Sequence, residues 1–143
     1  MIAGPVTVLE DALRAGAAGL YCAEAGTELL IRQRSWLSRS DFAPFIVIAA
    51  AAGGQPATAA VDWEAAITAL DGGVLPCSSG ERRMLRLAAS IAGGIPVDLA
   101  EALTGLDRAG ITAAASAVLH AGGHRGVTVT LPSDVPPCPV KRM

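Results

Sequence analysis

Asparagine is absent from this chain, lysine occurs once, at Lys141, and histidine only at His120 and His124. Positive charge is carried almost wholly by arginine. With abundant Ala and Gly, this bias indicates a GC-rich bacterial genome, which is a statement about codons rather than chemistry. Aromatic residues make up 3% of the chain, so Trp36, Phe42, Phe45 and Trp63 are the few large pieces a core can use. The cysteines, Cys22, Cys77 and Cys138, are scattered and form no CxxC pair. A zinc site needs clustered ligands and a disulfide framework needs paired thiols; neither is expected, and no metal or other cofactor is implied. GxxxxGK[ST], a GxGxxG after a strand and GxSxG are all missing. Their absence excludes a P-loop, a dinucleotide fingerprint and a nucleophile elbow.

Long apolar runs are also missing. The most apolar stretch, Phe42 to Ala52, falls short of the ~20 residues that span a bilayer. Glu10 and Asp11 stand where a secretion signal would be apolar, so a cytoplasmic protein with no membrane partner is expected. A formal charge of -2 provides no overall basic footprint for nucleic acid.

What is present is helical punctuation. A chain of 143 residues is the common size of one domain. Thr7 and Glu10 match a capping box ahead of a helix over 8–18 that carries Leu9 and Leu13. A second helix fits 20–34, with Arg32 and Arg34 in a last turn where cations favour the dipole. Asp41 can cap a third helix through Phe42, Phe45, Ile46 and Ala49, with Pro44 tolerated in its first turn. Gly53-Gly54-Gln55-Pro56 stops it, so the N-terminal helices span 7–52.

The second half contains a repeat. Segment 61–71, VDWEAAITALD, aligns without gaps on 97–107, VDLAEALTGLD. Each copy begins a short helix capped by Asp62 or Asp98, and each is followed by a longer helix. Ser78 with Glu81 starts the first long helix and Asp107 the second; Gly93-Gly94 and Gly122-Gly123 close them. The half reads as tandem helical hairpins over 62–92 and 98–121. The fold class is therefore all-α, a bundle of about seven short helices forming one domain over 1–126. Residues 127–143 are a Pro-rich tail, in which Val127 to Leu131 alternates as a short strand or extended arm would.

Cys77 is the most chemical-looking residue. It lies just before a helix N-terminus with Arg82 and Arg83 nearby, a field that activates a thiol. Catalysis would also need a base and an orienting partner, and nothing in the sequence brings His120 or His124 to it. A small residue packed in a tight loop is the simpler explanation, and no catalytic set is expected. Both His lie near a helix C-terminus, where a charged imidazole meets the dipole. Arg82, Arg83 and Arg86 form a basic stripe opposite Met84, Leu87, Ala88 and Ile91, and Arg32, Arg34 and Arg39 form a second cluster. Such stripes can contact phosphates. The hairpin 98–121 has helix-turn-helix topology, but its second helix presents Thr112-Ala113-Ala114-Ala115-Ser116, which is nearly bare of base-reading side chains.

The stretch Leu75-Pro76-Cys77-Ser78-Ser79-Gly80-Glu81, with Ile95-Pro96-Val97-Asp98-Leu99 and Leu106-Asp107, resembles small uncharacterised proteins of GC-rich actinobacteria over about half the chain. That resemblance implies no activity. The residues favour a non-catalytic accessory protein that binds another protein, or itself, through helical surfaces. The alternative is a small DNA-binding regulator using the 98–121 hairpin and the Arg82/Arg83/Arg86 stripe; an enzyme built on Cys77 ranks third. Mean hydropathy of +0.47 is high for so small a chain, and Ile46 to Ala52 would be apolar on every side of a helix. A homodimer is therefore expected, with its contact on residues 29–52 and Trp36, Phe42, Phe45, Val47 and Ile48 as anchors.

Overall fold

The computed structural model describes residues 4–132. Among them are six α-helices and one two-stranded antiparallel sheet: α1 (Pro5–Ala17), α2 (Tyr21–Gln33), β1 (Ile46–Ala49), β2 (Thr58–Val61), α3 (Trp63–Asp71), α4 (Ser79–Gly93), α5 (Leu99–Leu103) and α6 (Arg108–Ala121). The chain is mostly helical, but an all-α bundle of seven helices needs correction.

The correction falls on 42–52. Ala43–Phe45 is a single 3-10 turn, and Ile46–Ala49 is a strand paired with Thr58–Val61. Ile46, Val47 and Ile48 are consecutive β-branched residues, whose stiff side chains crowd a helix and suit a pleated strand. Gly53 and Gly54 follow with φ of 57° and 80°. Two successive positive φ values build a tight reversal at no Cβ cost. The residues expected to stop a helix therefore turn a hairpin.

Helix starts were legible where a side chain caps them. Asp62 accepts from the Ala65 N–H at 3.1 Å, Asp98 from Glu101 at 3.2 Å and Asp107 from Gly110 at 2.7 Å. Ser78 and Glu81 exchange both bonds of a capping box, each at 3.2 Å. Each cap satisfies a donor that the helix leaves orphaned, an effect of ~1 kcal/mol. Thr7 and Glu10 do not form the expected box. Pro5 opens α1 with Gly4 as the N-cap, because its fixed φ and missing N–H suit the first helical position. Thr7 is thereby placed inside the first turn.

The central element is α2, which packs on α4 along one side and on α6 along another. Leu29, Leu30, Met84, Leu85, Leu87, Ala88, Ala113 and Ala117 fill those seams. The repeated segments are used differently: α3 packs on α4, and α5 also packs on α4 more than on α6. Only the first copy thus behaves as a packed hairpin. Trp63, one of the few large residues available to a core, is only half-buried, with its Cβ against Gly93. Beyond α6, Val127 to Pro132 has no regular structure, so the short strand, one of the two forms expected there, is not formed. Arg108 instead holds this stretch as an arm, donating to the carbonyl oxygens of Leu131 at 3.3 Å and Pro132 at 2.6 and 2.8 Å. The rest of the expected tail, 133–143, lies outside the described residues.

Candidate functional site

The feature that stands out is the outer edge of the sheet. Ile46, Val47, Ile48 and Ala49 lie opposite Val61, Ala60, Ala59 and Thr58 respectively. The Asp62 N–H donates to the Phe45 carbonyl at 2.7 Å. In an antiparallel ladder that bond makes Ile46–Val61 a non-hydrogen-bonded pair. The main-chain groups of Val47 and Ala49 therefore point at β2, and those of Ile46 and Ile48 point away. On the far side of β2, Ala59 and Val61 point away from β1 by the same alternation. That second edge is closed by α1, which crosses it at Gly16; a Cβ there would lie 2.2 Å from the Ala59 carbonyl oxygen.

The β1 edge has no such cover among the described residues. Ile46 donates its N–H to Ala43 in the 3-10 turn, whereas the N–H and C=O of Ile48 have no partner among the described residues. Val47 is 62% exposed and Ile48 65%. Folded proteins usually blunt an open edge with Lys, Pro, a bulge or an inward charge. β1 holds none of these, and residues 42–61 include no charged side chain at all.

The expected interface residues thus separate. Val47 and Ile48 are at the surface, on a strand rather than a helix. Trp36 and Phe42 are fully buried, and Phe45 is half-buried against the core. The ring centroids of Trp36 and Phe42 are 5.4 Å apart, and the Trp36 Nε1–H donates to the Glu81 carbonyl at 3.3 Å. Arg39 lies over the indole face at 4.6 Å and is held by Asp41 at 2.8 Å. Asp41, expected as a helix cap, is a partner for that guanidinium, which holds its carboxyl below the usual range. So the large aromatics close the core around the start of α4 and are not available as anchors.

The remaining candidates are also dispersed. Cys77 is half-buried against the core, and no described side chain hydrogen-bonds to its sulfur. Arg82, Arg83 and Arg86 do share a cleft of about 390 Å³. Arg86 is paired with Asp71, Arg83 donates to the Glu101 carbonyl at 3.1 Å, and the carboxylates of Asp98 and Glu101 line the same cleft. Carboxylates beside the guanidinium groups weaken any field for phosphate. A cleft of about 750 Å³ between the end of α2 and the starts of α4 and α6 is lined by Arg32, Arg108 and Asp107 with no nucleophile and base together. No three His, Cys, Asp or Glu among the described residues stand close enough to hold a metal. No helix among them is long and apolar enough to cross a membrane.

One cluster had no signal in the sequence. His120, read only as a group at a helix end, reaches across to α2, where its Nε2 lies 2.8 Å from Glu24 Oε1. Glu24 Oε2 accepts from the Gly19 N–H at 3.0 Å, and Arg125 stands 3.8 Å away. Tyr21 meets the imidazole edge-on, with centroids 6.4 Å apart, and Arg14 is bound to Glu28 beside them at 2.6 Å. Each charge is matched, so the group acts as a clasp joining α1, α2 and α6. The bond from His120, and then that from Gly19, hold the Glu24 carboxyl below its ordinary 4.5. A depressed carboxyl stabilises the fold fully above its unfolded value and loses that contribution as pH falls through the folded one. Glu24→Gln should therefore lower stability at neutral pH and make denaturation midpoints fall less steeply below pH 4.5 than in wild type. Parallel curves for the two proteins would show that the clasp is not coupled to folding.

Comparison with protein-family models, curated proteins and solved structures finds no match to this chain.

Proposed function

We propose that this protein works by contact with other polypeptide rather than by chemistry, and that its working surface is the β1 edge. One observation carries the proposal: a main-chain edge is open at Ile48, flanked by exposed Val47 and Ile48 on an uncharged segment. Strand addition uses such an edge, with main-chain hydrogen bonds supplying attachment and alternate side chains supplying selectivity. This moves the expected contact from helical surfaces to the sheet and drops Trp36 and Phe42 from it, since both are buried. DNA binding through Arg82, Arg83 and Arg86 gains less support. Two of the three guanidinium groups are already engaged, and acidic groups share their cleft.

The test is a photo-crosslinking amino acid at position 48 in cells that express the chain. A control at position 74 is suitable, because Val74 is 63% exposed yet lies between α3 and α4, away from the sheet. Irradiation should give a discrete adduct with a polypeptide from position 48 and none from position 74. Equal labelling at the two positions, or no adduct at 48, would count against the edge as a working surface.

A further inference from the structure

We infer that the polypeptide docked on this edge is a second copy of the same chain, running antiparallel with Ile48 opposite Ile48. The inference rests on the reading of β1 as the working surface and adds the identity of the partner and the register.

Register follows from which main-chain groups are free. Only residues pointing away from β2 can bond to an added strand, and within β1 these are Ile46 and Ile48. The Ile46 N–H is already given to Ala43. If two copies met with Val47 opposite Val47, each Ile48 carbonyl would face an Ile46 N–H that is engaged elsewhere. If they meet with Ile48 opposite Ile48, each Ile48 N–H donates to the carbonyl of its counterpart. Both bonds then lie around one twofold axis. Such a contact is isologous, so it closes at two copies and does not propagate into a fibre.

Side chains and charge agree with this arrangement. Ile48 lies on the same sheet face as its neighbour Ala59, which is buried at 3% exposure. That face is turned toward the core, but the extensive helix contact, from α1, is made with β2 and not with β1. Ile48 is thus an apolar residue with protein on one side only, and the Ile48 of a second copy would continue the missing layer. On the opposite face, Val47 of each copy would stand beside Ala49 of the other. A self-contact places every charge opposite its own kind unless the contact has none, and residues 42–61 have none.

The segment after α6 is a poorer occupant. Its described part is tied to Arg108 through Leu131 and Pro132, and Pro136, Pro137 and Pro139 beyond it lack the N–H that a ladder requires. The paired strands are four residues long, so the buried area falls below the ~1,000 Å² of a permanent interface and the dimer is weak and reversible.

The experiment is sedimentation or light scattering of the full chain from about 10 µM to about 1 mM, the range in which so small an interface exchanges, with amide spectra recorded alongside. The mass should rise with concentration from 14.4 kDa towards twice that value. Over the same range the Ile48 amide should shift and exchange roughly tenfold more slowly as it becomes bonded. The Val47 amide, already bonded to Ala60, should change little. Ile48→Lys sets two like charges on the axis, and the expected result is an unchanged circular dichroism spectrum with dimerisation weakened at least about tenfold. A wild-type monomer throughout would overturn the proposal. So would a dimer that survives Ile48→Lys, or one whose Ile48 amide stays as fast as in dilute protein. If the position-48 crosslinker captures a different polypeptide while the purified chain stays monomeric, the self-contact is wrong and the edge remains an interaction surface.

Discussion

Trp36→Ala should destabilise the protein by about 3–5 kcal/mol, the range for removing a large aromatic from a packed interior. The indole has no exposed surface, stacks obliquely on Phe42 and gives its N–H to the Glu81 carbonyl. Truncation would leave a cavity beside Phe42 and strip one partner from the first turn of α4. It would also remove the ring that Arg39 covers. With only 3% aromatic residues in the chain, no neighbour is large enough to fill the space. Denaturant midpoints of wild type and mutant, at equal slope, measure the loss. A change under ~1 kcal/mol would mean that the site collapses without a cavity. Trp36→Phe should recover much of the packing but not the hydrogen bond, and so should fall between the two.

The second large effect is expected at Gly26. α2 crosses α4 so closely there that an added Cβ would lie 2.5 Å from the Ala92 Cβ and 2.7 Å from the Ala88 carbonyl oxygen. Two of the nearest atoms belong to the α4 backbone, so no side-chain rotation relieves the contact. Ala is the better helix former by ~1 kcal/mol, which offsets part of the cost. Separating the most extensive helix pair in the molecule outweighs it, since overpacking costs about 1–3 kcal/mol in a rigid interior. Gly26→Ala should therefore destabilise despite its propensity, and Gly26→Val should do so more strongly. Ala92→Gly removes one of the clashing atoms and should rescue Gly26→Ala in part. The coupling is read from a double-mutant cycle. A neutral Gly26→Ala would show that α2 and α4 can move apart freely.

Both effects reflect a core poor in large side chains. Abundant Ala and Gly with few aromatics allow helices to approach closely. The composition did not say where they approach, because any of the chain's glycines could serve until the helices are placed.

What the sequence determined by itself is local. Asp62, Ser78, Asp98 and Asp107 begin helices because each side chain bonds an N–H three residues ahead. That interaction needs no tertiary partner and is legible from spacing. The positive-φ turn at Gly53-Gly54 was also legible as a stop, though not as a hairpin. Tertiary structure decided everything that joins distant segments. An apolar run such as Ile46 to Ala52 fits a buried helix or a strand equally well until pairing with Thr58–Val61 selects one. Trp36 and Val47 are both apolar, and only the packing of α4 against the Trp36 loop put the first inside and left the second at the edge. Glu24 and His120 are 96 residues apart, and an ion pair has no periodicity to reveal it. The open side of β1 exists because α1 covers β2 at Gly16 and no helix among the described residues makes an extensive contact with β1. An edge is defined by what is absent beside it, which no single segment can encode.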